Sequence, residues 1–299
     1  MSPAALLGVA RHVVGHDGAS SSRTIHVQAQ GHHARVVPND DGPGVLAGSV
    51  SGGDASEAAA ASDGSVTYCE RGAARWAGAG SQSLPVCAYE CVDARATEAA
   101  TRIVEQMLLH CPAAVIGRMA TAGCSIAVIG RRQVTSDMPP HRFLRGVKAS
   151  LGQRTYDDGC RGVGGTKRVP CTSVGEENLL GNDPHFPRES ILVHEFAHTV
   201  MNVGVSGTDR AAIRRAYELA CKTGEFDLKS YMMATAEEFW AEGAQAWFHA
   251  SVRTDVNCGI TTREGVRQQL PLLAAVLQKT FGDGEWRYDS ENCHGWAVK

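Results

Sequence analysis

The sequence predicts an α+β domain, on three observations. Apolar residues recur at helical spacing in separate stretches of the chain, most of them in its second half. A short β-branched run bounded by glycines reads as a buried strand and places a small sheet upstream of most of those helices. The composition changes near Thr67, where aromatics, cysteines and regular apolar spacing first appear together. The folded domain is therefore expected over 67–299. Residues 1–66 read as a disordered or low-complexity leader, with His12, His16, His26, His32 and His33 at no fixed spacing and a Gly/Ala/Ser tract from Gly42 to Val66.

In chain order, Thr97 to His110 sets Ala100, Ile103, Val104, Met107 and Leu108 on one helical face, and Cys111-Pro112 ends the run. Ser125 to Gly130 is the strand. A long connection follows, with Pro139-Pro140, Gly159 and the cluster Gly162-Val-Gly-Gly165. Thr172 to Leu180 reads either as a strand able to hold substrate backbone by strand addition or as a plain packing strand or turn. Ile191 to Val203 is helical, preceded by Pro184 and Pro187 and ended near Gly204. Thr208 caps a helix that Gly224 stops, with Arg214, Glu218 and Lys222 at i, i+4 spacing. Thr235 to Val252 and Leu270 to Phe281 complete the helices.

Charge excludes one class of partner. With 29 Lys+Arg against 32 Asp+Glu, a nucleic acid held by bulk charge is not expected. No apolar run approaches the ~20 residues of a membrane span. Ten cysteines are many for 299 residues, and their even number predicts disulfides and a secreted protein. The first residues argue against that location, because they lack a basic stretch ahead of their short apolar run. Cys87-x3-Cys91 has no matching second knuckle for structural zinc, so disulfides are preferred, with Cys160 to Cys171 the expected local pair.

One segment carries chemistry. Ile191-Leu-Val-His-Glu-Phe-Ala-His-Thr-Val200 contains His194-Glu195-x-x-His198. On a helix, residues four apart share a face, so both imidazoles reach one Zn2+ ion while Glu195 points at its water. The neighbours Val193, Phe196, Ala197, Thr199 and Val200 are uncharged, as a buried active-site helix requires. A catalytic zinc takes three protein ligands. Met201 and Gly204 stand where the extended motif with a third histidine needs Gly and His, which excludes that class.

A glutamate on a following helix remains, and two are candidates. Glu218 lies close to the thermolysin spacing, but its neighbours do not match that group, and Arg214 or Lys222 would pair it at the surface. Glu238 shares a polar stripe with Glu242, Gln245 and His249 on a helix otherwise filled by Phe239, Trp240, Trp247 and Phe248. Thr235 and Glu238 also stand in capping-box relation, which does not account for Glu242.

The segment from Ile191 to Phe248 resembles the lethal-factor-like group of gluzincin metallopeptidases, the family of the anthrax toxin lethal factor catalytic domain. The likeness rests on His194-Glu195-Phe196-x-His198, then Tyr231, then Glu238 seven residues on within Glu-Phe-Trp-Ala-Glu242. It implies a zincin-like domain with an active-site helix and a second, glutamate-bearing helix. It further implies His194, His198 and Glu238 as zinc ligands, Glu195 as general base, Tyr231 as a phenol near the metal, and Glu242 as a carboxylate behind a ligand, facing His194. The cysteines, the glycine-rich loop and the N-terminal tract depart from the toxin, so its substrates and delivery partners are not implied. The expected activity is zinc-dependent hydrolysis of peptide bonds, with a peptide or protein as substrate. The alternatives are a zinc hydrolase of another bond, or a secreted, disulfide-stabilised metal-binding protein without turnover.

Overall fold

The computed structural model describes residues 67–76, 82–149 and 154–288. The expected leader, 1–66, lies outside them, as does Cys293. The chain opens with strands β1 (Tyr68–Ala74) and β2 (Leu84–Tyr89), helices α1 (Ala94–Leu108) and α2 (Ala113–Thr121), and β3 (Ser125–Ile129). After the long connection come β4 (Gly162–Val163), β5 (Cys171–Gly175) and the single turn α3 (Glu176–Leu179). The rest is helical: α4 (Ile191–Thr199), α5 (Gly207–Thr223), α6 (Ala236–Trp247), α7 (Arg263–Gln269) and α8 (Pro271–Phe281). The fold is thus α+β, with one small sheet upstream of the main helices. None of the described helices is long and apolar enough to cross a membrane.

The sheet has the order β1-β2-β3-β5-β4. Its centre is parallel, with Val86 opposite Ile126 and Ile126 opposite Thr172, and both outer pairs are antiparallel. Alternation decides the two faces. Val86, Ala88, Ile126, Val128 and Val174 join the main core with α1 and α4, while Ala127, Ile129 and Cys171 pack with Met138 on the other side. The strand-addition reading of Thr172 to Leu180 fails here, because β5 is paired on both sides and residues 176–179 are helical. The short edge strand is β4.

Local signals set the helix ends. Asp93 caps α1 by accepting from Arg95 N, so the helix starts three residues before Thr97. Pro112 marks the N-cap of α2 rather than only the end of what precedes it, which is why this helix is not evident in the sequence. Ser206, not Thr208, caps α5, and Gly224 ends it with φ of 73°. Thr235 caps α6 through a hydrogen bond from Glu238 N, and α6 stops at Trp247, where His249 turns to φ of 53°. Beyond Thr199, α4 widens into a π turn, Val200–Gly204, which closes when Val205 N donates to Val200 O at 2.8 Å. A wider turn of this kind inserts a residue without ending the helix.

No disulfide joins the described cysteines, which corrects the expected Cys160 to Cys171 pair. The antiparallel register opposes Gly162 to Val174, so Cys160 and Cys171 belong to opposite ends of the β4/β5 hairpin. Cys160 Sγ donates to Gly162 O at 2.9 Å, and burial pushes the Cys171 thiol up to about 12.

Asn178 anchors the entry to α4. Its side-chain nitrogen shares its two hydrogens among Phe186 O (3.2 Å), Glu189 O (3.0 Å) and Asp183 Oδ2 (3.1 Å), and its oxygen accepts from Ile191 N at 2.8 Å. Truncation would leave buried carbonyls and an amide without partners. Asn178→Ala is expected to cost about 2 to 4 kcal/mol, since each stranded buried group costs ~1 to 3 kcal/mol. Denaturant unfolding measures it, and a change below ~0.5 kcal/mol would refute this anchoring role.

Candidate metal centre

Helix α4 is buried all round, as a helix packed between a sheet and other helices must be. It is locked to α6 by the indole of Trp240, which donates to Ala197 O at 2.8 Å. That crossing brings His194 and His198 on α4 against Glu238 on α6, all three at most 1% exposed. His194 Nε2 is 3.1 Å from Glu238 Oε2 and 3.1 Å from His198 Nε2, and His198 Nε2 is 3.3 Å from Glu238 Oε2. The three atoms form a nearly equilateral triangle.

These distances test whether the residues fit zinc. Bonds of ~2.0 to 2.1 Å in tetrahedral geometry give ligand-to-ligand edges of about 3.3 Å, close to all three sides. Two imidazole nitrogens and a carboxylate oxygen cannot sit this near one another without a shared positive charge. The residues fit the metal. When no metal is held, protons serve that need. Burial would lower the pKa of His194, but the hydrogen bond and charge of Glu238 outweigh it and raise the group to about 10. Glu238 is held well below the usual carboxylate range despite its burial, by His198 and then His194, while burial pulls His198 down.

Glu195 is fully buried, and burial pushes its pKa up to about 8 against the pull of His194. Neither of its carboxylate oxygens has a hydrogen-bond partner within 3.5 Å among the described residues. Strand β4 runs directly beside it. A Cβ placed on Gly162 would lie 2.9 Å from Glu195 Cγ and 3.2 Å from Oε1, and would collide with Ile191 Cγ2. Glycine is required at 162 for this approach.

Residues that the sequence reading did not single out hold the β4/β5 hairpin on α4. Thr199 Oγ1 accepts from Gly165 N at 2.7 Å and from Thr172 Oγ1 at 2.6 Å, while donating to Glu195 O at 3.2 Å. Asn202 Nδ2 donates to Gly165 O at 3.0 Å. A threonine one residue after the second histidine is the only sequence signal for this contact, and nothing local identifies its partners.

Tyr231 lies in a single 3-10 turn before α6, buried, with its ring centre 6.1 Å from that of His194. Burial and the charge of Glu238 push its pKa upward, so the phenol keeps its proton. Glu242, one turn after Glu238, is buried but does not hydrogen-bond to His194, since its Oε1 is 3.6 Å from Nδ1. Gln245 Oε1 occupies that place at 2.9 Å. The expected carboxylate partner is therefore replaced by an amide, because one further turn along α6 lies better opposite the imidazole. Burial pushes the Glu242 carboxyl up to about 8. Glu218 is exposed on α5 and takes no part in the cluster, and Glu237 is half-buried.

No family profile and no curated protein sequence matches the chain. Among solved structures, the chain is similar to the Pro-Pro endopeptidase PPEP-2 from Paenibacillus alvei, at 18% identity and a TM-score of 0.42, over 62% of this chain and 91% of that one. A likeness this slight leaves the functional argument to the chain's own residues.

The two glutamates of the third-ligand question should behave differently. Glu238→Ala is expected to lower zinc affinity by more than the ~10 to 100-fold typical of residues behind a ligand. Glu218→Ala is expected to leave zinc stoichiometry unchanged and to cost under ~1 kcal/mol of stability. Elemental analysis after dialysis, with unfolding curves, reads both, and the reverse pattern would remove Glu238 from the site.

Proposed function

We propose that the chain is a zinc-dependent metallopeptidase of the gluzincin type, in which His194, His198 and Glu238 hold the ion. One observation carries the reading: three lone-pair atoms converge at 3.1 to 3.3 Å in a fully buried cluster, with an unpartnered carboxylate on the residue next to the first ligand. The residue pattern that resembles the lethal-factor-like group agrees with it, because Tyr231 and Glu238 adjoin the two histidines in space as that pattern requires.

Zinc, when bound, supplies Lewis-acid polarisation of a carbonyl and lowers the pKa of water toward ~7. The remaining work falls to side chains. Glu195 takes a proton from the attacking water at its carboxylate and delivers it to the leaving amine, a contribution of ~10² to 10⁴ in rate. Its buried setting, which favours the protonated form, strengthens it as the acceptor of the water's proton. The Tyr231 hydroxyl donates to the oxygen on which negative charge develops, worth about 2.7 to 4 kcal/mol if it acts as such donors do elsewhere. His194 and His198 stay oriented because α4 is buried on every side.

A peptide is the favoured substrate because β4 is an edge of the sheet and passes beside Glu195, with Gly162, and Gly164 and Gly165 just after the strand, leaving Val163 as the one side chain along that stretch. An extended chain laid along such an edge is held through main-chain hydrogen bonds. A metal-binding protein without turnover would have no use for the proton acceptor at Glu195.

Two outcomes test this. Glu195→Gln is expected to retain zinc while hydrolysis of a mixed peptide library falls by ~10² or more; loss of zinc would make Glu195 structural, and undiminished hydrolysis would remove the mechanism. Tyr231→Phe should reduce kcat by ~10² to 10³ with little change in KM. Hydrolysis by the wild type that persists in excess chelator would exclude a metallopeptidase.

A further inference from the structure

We infer that Gln245 is the positioning residue that fixes His194 as its Nδ1–H tautomer and so presents the bare Nε2 to the metal, an inference that rests on the metal-site reading above. Both ends of the Gln245 amide are assigned. Gln245 Nε2 is 3.2 Å from the carbonyl oxygen of Ser190, which can only accept, so this end must be the NH2 group. The other end, Oε1, is then the atom 2.9 Å from His194 Nδ1, and an amide oxygen only accepts. The proton between them therefore belongs to Nδ1. Flipping the amide would set its oxygen against the Ser190 carbonyl, leaving two acceptors face to face.

The backbone holds the amide in place. Ala250 N donates to Gln245 O at 2.7 Å, and Ser190 N donates to Ala250 O at 2.8 Å, so the end of α6 is tied through Ala250 to the residue that caps α4. Ser190 O also accepts from His194 N at 3.3 Å. Gln245 thus grips both the first turn of the zinc-binding helix and the ring of its first histidine. The Glu242 carboxylate, 3.6 Å from Nδ1, is a second acceptor on the same side and none of its oxygens competes for the Nε2 side. With Nδ1 protonated and the metal bound, the Nε2 lone pair faces the point it shares with Glu238 Oε2 and His198 Nε2.

The choice of an amide has a consequence. A carboxylate behind a zinc histidine adds negative charge and raises ligand basicity, whereas glutamine sets the tautomer with no added charge.

Two measurements on the full-length protein test the inference. Long-range proton–nitrogen NMR of the zinc-loaded wild type should show the His194 proton on Nδ1 and the metal on Nε2. Gln245→Met, which keeps the volume and removes the acceptor, should weaken zinc binding by ~10 to 100-fold. Gln245→Glu, which keeps the acceptor at Nδ1 and meets the Ser190 carbonyl through the hydroxyl of its buried, protonated carboxyl, should retain the Nδ1–H signal and lie within ~10-fold of the wild type, a rescue that loss of packing alone would not give. A His194 proton on Nε2, a Gln245→Met affinity equal to the wild type, or a Gln245→Glu affinity as weak as Gln245→Met overturns this role while the metal site stands. A wild type that takes up no zinc overturns the metal site and this inference together. Where Gln245→Met does not fold, the wild-type tautomer decides the matter.

Discussion

Three lone pairs aimed at one buried point are the constraint on which this molecule turns. His194 Nε2, His198 Nε2 and Glu238 Oε2 stand within 3.3 Å of one another with essentially no solvent contact. Such an arrangement is repulsive unless positive charge sits among the atoms, and the fold must supply the energy to keep it assembled. A cation removes the repulsion. This couples metal binding to folding, because ligands that gather only in the native state make binding energy part of stability.

The scaffold around that point is built from contacts distant in sequence. Trp240 ties α6 to α4, Asn178 sets the entry of α4, and Thr199 with Asn202 fastens the β4/β5 hairpin along it. The π turn after Thr199 prolongs the helix far enough to place Asn202 beside Gly165. A buried ion pair, Arg161 with Glu177, holds the start of β4 through contacts of 2.6 and 2.8 Å and shares its guanidinium with the carbonyls of Gln133 and Gly130. The edge strand beside Glu195 is thereby fixed in position relative to His194, His198 and Glu238, a condition for any reaction that depends on distances of a few tenths of an ångström.

What could be read from the sequence was local. The i, i+4 relation of His194 and His198, the apolar surroundings of α4 and the polar stripe of α6 all follow from helical geometry, so these two helices and the residues that meet between them were legible within a few residues, whereas α2 and α7 were not. The preference for Glu238 over Glu218 had the same origin, a carboxylate on an otherwise apolar helix. Features set by long-range register were not legible. Cys160 and Cys171 look like neighbours along the chain, yet the hairpin register separates them. The strand at Thr172 looked free to receive substrate, yet β4 covers it. Glu242 was matched to His194 from its place one turn after Glu238, and the side-chain directions at the helix crossing favour Gln245 instead.

X-ray absorption at the zinc edge of the loaded protein reads the metal's neighbours directly. If His194, His198 and Glu238 hold the ion, the spectrum shows one zinc per chain surrounded by nitrogen and oxygen at ~2.0 to 2.1 Å, with the multiple-scattering pattern of two imidazoles. Sulfur at ~2.3 Å would show that some of the ten cysteines hold the metal instead. That result, or a single-imidazole pattern, would contradict the site described.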